Sequence, residues 1–135
     1  MKTIQLENDI SLLCLKAKSF PEGIQEAYDE LHIVIKNEGP RKYFGISRPN
    51  GDEIEYYAAV ESFDHIESEK FGLPIITIKS GNYLFEEVLN YMSNIKEIGR
   101  IFSEMISNPN IDPKGYCVEV YITDKDVQCM VRLND

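Results

Sequence analysis

Apolar residues recur along this chain with two periods, one typical of helices and one typical of strands. The helical period occurs twice. The first stripe predicts a helix that begins at Phe20-Pro21-Glu22 and ends before Asn37-Glu38-Gly39-Pro40. The second stripe predicts a helix from about Leu89 to Ile106, which the Pro- and Asn-rich loop after it terminates.

The alternating period predicts strands on either side of these helices. These strands cover Ile10 to Lys18, Lys42 to Arg48, Ile54 to Ser62, Leu73 to Lys79, Gly115 to Thr123 and Val127 to Leu133. Asn50-Gly51 predicts a hairpin between the second and third of them. Ser80-Gly81-Asn82 breaks or bulges the fourth, so that Tyr83 to Val88 either continues it or leads into the next element.

The order strand, helix, strand, strand therefore occurs twice, in pseudo-repeats over residues 10–62 and 73–134. Two such units placed side by side predict an α+β fold: an antiparallel sheet, two main helices and a central ligand groove. At 135 residues the chain fits one domain, 1–135. Because only nine residues precede Ile10, we expect no DNA-binding domain ahead of it.

Glu119 is the most informative residue, because it interrupts a segment that otherwise resembles a half-buried strand. On one face of that strand lie Tyr116, Val118, Val120 and Ile122, all apolar, which predicts a core face. Cys117, Glu119 and Tyr121 share the other face, which resembles a cavity lining more than a solvated surface. A carboxylate removed from water without a partner costs several kcal/mol or becomes protonated, so such a site suits a cation or a proton. The alternative is a solvated outward residue that pairs with Lys or Arg on a neighbouring strand.

The composition of the chain limits the classes of partner and cofactor that the protein can be expected to bind. Fourteen Lys and Arg against 23 Asp and Glu give a net charge of −9, which argues against binding nucleic acid or anionic membrane surfaces. No apolar run is long enough for a secretion or membrane segment, so we expect a cytoplasmic protein. The three cysteines, Cys14, Cys117 and Cys129, lack metal-ligand spacing, and no phosphate-binding loop is present, so neither a metal nor another cofactor is predicted.

Three segments in order resemble the GyrI-like effector-binding family, which includes the drug-binding C-terminal domains of BmrR- and Rob-type transcription activators. They are Gly45-Ile46-Ser47-Arg48-Pro49 with the strand that begins at Ile54, Ile76 to Tyr83, and Gly115 to Tyr121. The resemblance covers nearly the whole chain. It implies that Glu119 lies in an aromatic pocket and pairs with lipophilic cations, whose flat bodies stack on Tyr and Phe rings.

Strand parity supplies candidate walls for that pocket. Aligning the two repeats sets Ile46 opposite Glu119, which predicts that Phe44 and Ile46 share its face. Tyr57 is also predicted to line the pocket, because Glu55 and Glu61 on its face indicate that this face is not a fully buried core. Met130 faces away from Cys129, and Tyr83 lies beside Gly81, so both are predicted to reach the pocket. For each of these side chains plain core packing is the alternative.

Three functions fit these observations. The first is a stand-alone binding module for a hydrophobic, cationic or aromatic small molecule, a drug or toxin that the protein senses or sequesters. The second, implied by the resemblance, is a hydrolase that opens cyclopropane-bearing compounds, with Glu119 as its catalytic group. The third is a gyrase-inhibitor-like module that docks on a protein. A protein partner or a second copy of the chain stays open in each case.

Overall fold

The computed structural model describes residues 1–36 and 40–135. In chain order the elements are β1 (Lys2–Leu6), β2 (Ile10–Lys16), α1 (Ile24–Ile35), β3 (Tyr43–Asn50), β4 (Glu53–Glu61), α2 (Glu67–Phe71), β5 (Ile75–Ile78), β6 (Gly81–Val88), a 3₁₀ turn (Tyr91–Ser93), α3 (Ile95–Ile106), β7 (Cys117–Tyr121) and β8 (Val127–Arg132). The predicted α+β class is confirmed.

One antiparallel sheet contains the eight strands of the described ranges, in the order β1-β6-β8-β7-β3-β4-β2-β5. Its centre is made by two similar units, β2-α1-β3-β4 and β6-α3-β7-β8, whose strands β3 and β7 pair with each other. The predicted repetition of strand, helix, strand, strand is therefore present. The two helices that pack on the sheet come from different units.

The prediction that Leu73 to Lys79 opens the second unit is wrong. That segment forms β5, which pairs with β2 at one edge of the sheet, whereas β6 takes the place in the second unit. Only Lys79 and Ser80 separate β5 from β6, although five strands lie between them in the sheet order. The sheet is therefore curled, so that its two ends approach each other at this link.

One additional strand and the starts of the two main helices differ from the sequence prediction. β1 pairs with β6 at the other edge of the sheet, although the first nine residues suggested no element. The second main helix begins at Ile95, because the 3₁₀ turn and Asn94 replace its predicted first turn. The first main helix begins at Ile24 rather than at Phe20-Pro21-Glu22, and it ends at Ile35; residues 37–39, before which it was predicted to end, lie outside the described residues.

The sheet has two differently covered faces, called here the inner face and the helix face. Inside the curl, the inner face carries a buried cluster that includes Leu12, Phe44, Ile46, Val118 and Met130. On the helix face, α1 packs over Leu13, Ala58 and Val60, and α3 packs over Val127, Cys129 and Val131. Alternation along each strand sends neighbouring residues to opposite faces, so the register decides which residues can meet.

The short helix α2 is attached to the sheet by a buried ion pair. The guanidinium of Arg41 binds Glu67 with both terminal nitrogens, and the NH1 to Oε1 distance is 2.9 Å. The side chains are 2% and 10% exposed, and the Arg41 guanidinium also lies 4.0 Å from the ring centroid of Phe63. Within the two described ranges, no helix combines the length and the apolar character that crossing a bilayer requires.

Candidate functional site around Glu119

Glu119 lies at the middle of the sheet on its helix face. The register pairs it with Gly45 of β3 on one side and with Cys129 of β8 on the other. The same row continues through Ala58 beyond Gly45 and through Glu86 beyond Cys129. Because Gly45 and Ala58 are small, they leave space above the sheet next to the carboxylate.

Two tyrosine hydroxyls fill that space and donate to one oxygen of Glu119. Tyr56 and Tyr121 each place the hydroxyl 2.8 Å from Glu119 Oε1. A Cβ atom at Gly45 would overlap Tyr56 Oη and Glu119 Oε1, and it would lie 2.8 Å from Tyr56 Cζ. Glycine at position 45 is thus a steric requirement for the contact between Tyr56 and Glu119.

A third tyrosine extends the network to the first helix. Tyr28 of α1 donates to the carbonyl oxygen of Phe44 at 2.7 Å, and its hydroxyl lies 3.0 Å from that of Tyr56. The network therefore fixes α1 relative to β3, β4 and β7. It consists of neutral donors only, and none of the ion pairs among the described residues includes Glu119.

Burial dominates the electrostatics of the site. It raises the pKa of Glu119 above the usual value of a glutamic acid, while the hydrogen bonds from Tyr56 and Tyr121 oppose the rise. Burial and the neighbouring Glu119 carboxylate also raise the pKa values of Tyr56 and Tyr121, so both stay neutral donors. Burial likewise raises the pKa of Cys117 to about 11, which keeps it a thiol rather than a nucleophilic thiolate.

Aromatic rings from both units surround the carboxylate. Tyr28 of α1 and Tyr91 of the 3₁₀ turn contact Tyr121 edge to face, with centroids 5.9 and 5.5 Å apart. Phe20, which is partly exposed, stacks on Tyr56 with centroids 5.9 Å apart. An aromatic enclosure around one half-buried carboxylate can accept a cation or a planar apolar group, provided that the touching rings move apart.

The structure places Cys117, Glu119 and Tyr121 together on the helix face. On the opposite face of the same strand, Val118 and Val120 are buried, but Ile122 lies beyond the end of β7 and is exposed. The predicted core face is therefore shorter than the alternating pattern suggested.

The prediction that Phe44 and Ile46 share the face of Glu119 is wrong. Phe44 pairs with Val120 and Ile46 pairs with Val118, so both belong to the inner face. The alignment of the repeats set Ile46 opposite Glu119, which are 73 residues apart, whereas the residue of β3 on the face of Glu119 is Gly45, 74 residues away. Since faces alternate, an odd offset moves every side chain to the other side of the sheet.

Tyr57, Tyr83 and Met130 also lie on the inner face. Tyr57 pairs with Ile46 and Met130 pairs with Val118, while the hydroxyl of Tyr83 donates to the carbonyl oxygen of Lys79. None of the three can therefore line the site of Glu119. The charges of Glu55 and Glu61 did not mark the face that carries the site, because they lie near the ends of β4.

Five residues of the site were not predicted: Phe20, Tyr28, Gly45, Tyr56 and Tyr91. Tyr28 and Tyr91 lie in segments whose apolar spacing predicts helices, which indicates core packing and not a site. The sequence does contain a pattern that indicates Tyr56. It lies two residues from Ala58 and so shares its strand face, where the small alanine leaves space for a large neighbour. It could be used only with the correct pairing of β3 and β7.

Two cavities lie away from Glu119. One, of about 310 Å³, opens on the inner face, between the β5–β6 link and the segment before β7. The other, of about 400 Å³, is an open groove beside α3, lined by Glu86, Glu97 and Arg100 among others. Oε2 of Glu86 is buried there and has no hydrogen-bond partner among the described residues.

Solved structures share this fold over at least 90% of their length. SAV2435, solved bound to tetraphenylphosphonium, matches with a TM-score of 0.63 and 13% identity over 98% of this chain and 93% of that one. The integron cassette protein VCH_CASS2 from the mobile metagenome of Vibrio cholerae matches with a TM-score of 0.71 and 10% identity, over 98% and 95%. A hydrolase from Listeria innocua matches with a TM-score of 0.65 and 11% identity, over 98% and 90%.

No protein-family model matches the sequence, and no curated protein matches it. At 10–13% identity, the likeness to solved structures establishes a shared fold. That fold includes a protein solved with a lipophilic cation and an enzyme.

Proposed function

We propose that this protein is a binding module of the GyrI-like effector-binding type, which holds a lipophilic cation or an aromatic small molecule at Glu119. One observation carries the proposal. A central, half-buried carboxylate has two tyrosine hydroxyls as its hydrogen-bond donors and no cationic partner among the described residues. Such a carboxylate is suited to pairing with the positive charge of a ligand.

Tyrosine rings suit such a ligand better than a basic residue would. Their hydroxyls orient the carboxylate without neutralising it, and their faces attract a delocalised cation by about 0.5–2 kcal/mol each. Tyr28 and Tyr91 come from different units of the fold, so a ligand between them would contact both. The bound state of SAV2435 with tetraphenylphosphonium supports this ligand class for the fold.

Titration with tetraphenylphosphonium tests the proposal. We expect saturable binding that Glu119→Gln weakens at least about tenfold, since about 1.4 kcal/mol of lost ion pairing is a factor of ten. Glu87→Gln is the matched control, because Glu87 is exposed on β6 and alternates away from Glu86, the β6 residue in the row of Glu119. Equal affinity of the Glu119 and Glu87 variants would disprove the role of Glu119, and so would the absence of saturable binding.

The tyrosines provide a second comparison. Tyr56→Phe keeps the ring but removes the donor to Glu119, whereas Tyr57→Phe makes the same change on the inner face. We expect the first to change the affinity for tetraphenylphosphonium and the second to leave it unchanged. Because a cation favours ionised Glu119, the affinity should also rise with pH through the raised pKa of this group.

A hydrolase is the second candidate function, and the environment of Glu119 favours it. A carboxyl group whose pKa is raised by burial is better matched to general acid–base chemistry near neutral pH than a solvated one. Product formation from a cyclopropane-bearing alkylating compound, abolished in Glu119→Gln, would support an enzyme. Binding of that compound without turnover would leave the binding module as the function.

A further inference from the structure

The cavity of about 310 Å³ on the inner face is separated from Glu119 by the thickness of the sheet. Val118 and Tyr116 of the segment leading into β7 line it, and these residues alternate with Cys117 and Glu119, which face the other way. Its volume of about 310 Å³ lies at the lower end of the range of about 300–1,000 Å³ that small-molecule sites occupy. It is therefore a distinct compartment, not an extension of the Glu119 site.

The floor of this cavity is apolar. Ile78 of β5, Tyr83 of β6 and Val118 of β7 contribute to it, and these side chains are at most 3% exposed. All three belong to the cluster inside the curled sheet. The hydroxyl of Tyr83 is already used by the carbonyl oxygen of Lys79, so the floor offers contact area rather than a free polar group.

The mouth of the cavity is basic, in contrast to the protein as a whole. Lys79 and Lys114 lie on opposite sides of it, from the β5–β6 link and from the loop before β7. Both are exposed, and neither forms an ion pair with a carboxylate of the described residues. The charged residues that line the cavity are these two lysines and one carboxylate, Asp112, so its lining has a net positive charge on a chain whose net charge is −9.

The carboxylates near the mouth already have partners. Asp112 Oδ2 lies 3.0 Å from Arg132 NH1, and Asp112 Oδ1 accepts the backbone N–H of Lys114 at 2.9 Å. Asp9 accepts the backbone N–H of Ser80 at 2.8 Å, and the charges of Lys79 and Arg132 also help to lower its pKa, although neither forms an ion pair with it among the described residues. The arrangement leaves the two lysines as the groups available to a ligand.

We propose that this inner-face cavity binds a small amphipathic carboxylate, with its apolar body against Ile78, Tyr83 and Val118 and its anionic end between Lys79 and Lys114. Charge complementarity decides the ligand class, since a cation would meet two ammonium groups and a neutral molecule would leave them unused. Tyr116, which is partly exposed, also lines the cavity and suits an aromatic body; the Arg48 guanidinium lies 4.7 Å from the centroid of its ring. The two sites of the protein would then take ligands of opposite charge on opposite faces of β7.

Titration of the full chain with 2-naphthoate tests this inference. We expect saturable binding that the double substitution Lys79→Gln with Lys114→Gln weakens about fivefold, as expected for two exposed charge contacts. Lys96→Gln with Lys125→Gln is the matched control, because these lysines are exposed but do not line the cavity. The neutral analogue 2-naphthalenemethanol should bind more weakly than 2-naphthoate, and added salt should weaken the binding of 2-naphthoate alone.

Three outcomes would overturn the inference. They are no saturable binding of 2-naphthoate, equal affinity in the two lysine double variants, and equal affinity for the acid and the alcohol. Each of them is independent of the result with tetraphenylphosphonium, because that experiment reports on Glu119 and the helix face. Failure of one proposal therefore leaves the other standing.

Discussion

Gly45 is the position at which a single methyl group should disturb the site most directly. Its backbone lies outside the left-handed region, so alanine is compatible with its conformation, and the effect of Gly45→Ala is steric. The new methyl group would occupy the place where Tyr56 Oη meets Glu119 Oε1. Tyr56 is only 3% exposed and packs between Phe20 and Tyr28, so it cannot swing freely into solvent.

The expected cost can be assembled from three contributions. Overpacking costs about 1–3 kcal/mol, a buried acceptor left without its donor costs about 1–3 kcal/mol, and the better strand propensity of alanine returns about 0.5–1 kcal/mol. We therefore expect Gly45→Ala to lower the free energy of unfolding by about 1–5 kcal/mol. Binding of tetraphenylphosphonium should weaken as well, because the methyl group displaces a donor that orients Glu119.

Urea denaturation followed by circular dichroism measures the change in stability. Gly99→Ala is the matched control, because a Cβ at Gly99 of α3 would meet no atom within 4 Å. In that helical position alanine should raise stability by about 1 kcal/mol. If Gly45→Ala proved as stable as the wild type while Gly99→Ala behaved as expected, the packing argument for the site would be refuted.

Two further predictions concern pH. Glu119 has a raised pKa in the folded state, so the folded protein retains a proton that the unfolded chain releases above about pH 4.5. The free energy of unfolding therefore falls as the pH rises from about 4.5 to the raised pKa of Glu119, by up to about 1.4 kcal/mol per pH unit. Glu119→Gln should remove this fall and be more stable than the wild type at neutral pH; parallel pH profiles of the two proteins in thermal unfolding would contradict this. For Glu67 the sign is opposite, because hydrogen bonds from Arg41 lower its pKa to about 2, so its contribution is present above about pH 4.5 and is lost as the pH falls towards 2. Glu67→Gln should cost about 3–5 kcal/mol at neutral pH and flatten the acid limb of the unfolding profile, whereas Glu69→Gln on the exposed side of α2 should do neither.

Local patterns predicted the elements and part of the site, because they depend only on neighbouring residues. Alternation within one strand is enough to place Cys117, Glu119 and Tyr121 on one face. The same applies to the two main helices and to the Asn50-Gly51 hairpin between β3 and β4. These features do not require knowledge of which strands pair.

The errors have one physical origin, the register between strands distant in sequence. Pairing of β3 with β7 joins Gly45 to Glu119 across 74 residues, and no local signal in the sequence fixes that register. An internal alignment wrong by an odd offset moved Phe44 and Ile46 to the wrong face. The prediction of Tyr57 instead of Tyr56 has the same origin, since the two residues alternate between the faces of β4.

The prediction of a break or bulge at Ser80-Gly81-Asn82 missed the crossing between the two ends of the sheet for a related reason. A Ser-Gly pair after an alternating run resembles a bulge, and the local sequence does not reveal that the next strand joins the opposite end of the sheet. The inner cavity beside this link could not be predicted either, because its lining comes from β5, β6 and the loop before β7.

The direct pairing of Gly45 with Glu119 has a consequence for the origin of asymmetry in this fold. If two identical half-length chains had assembled in this way, each contact off the axis would occur twice, and a second acid would lie close to the first. Because the two units belong to one polypeptide and differ in sequence, one unit can supply the acid and the other the small residue beside it. The protein thus has one carboxyl group at its centre, where an exactly symmetric pair of units would have either two or none.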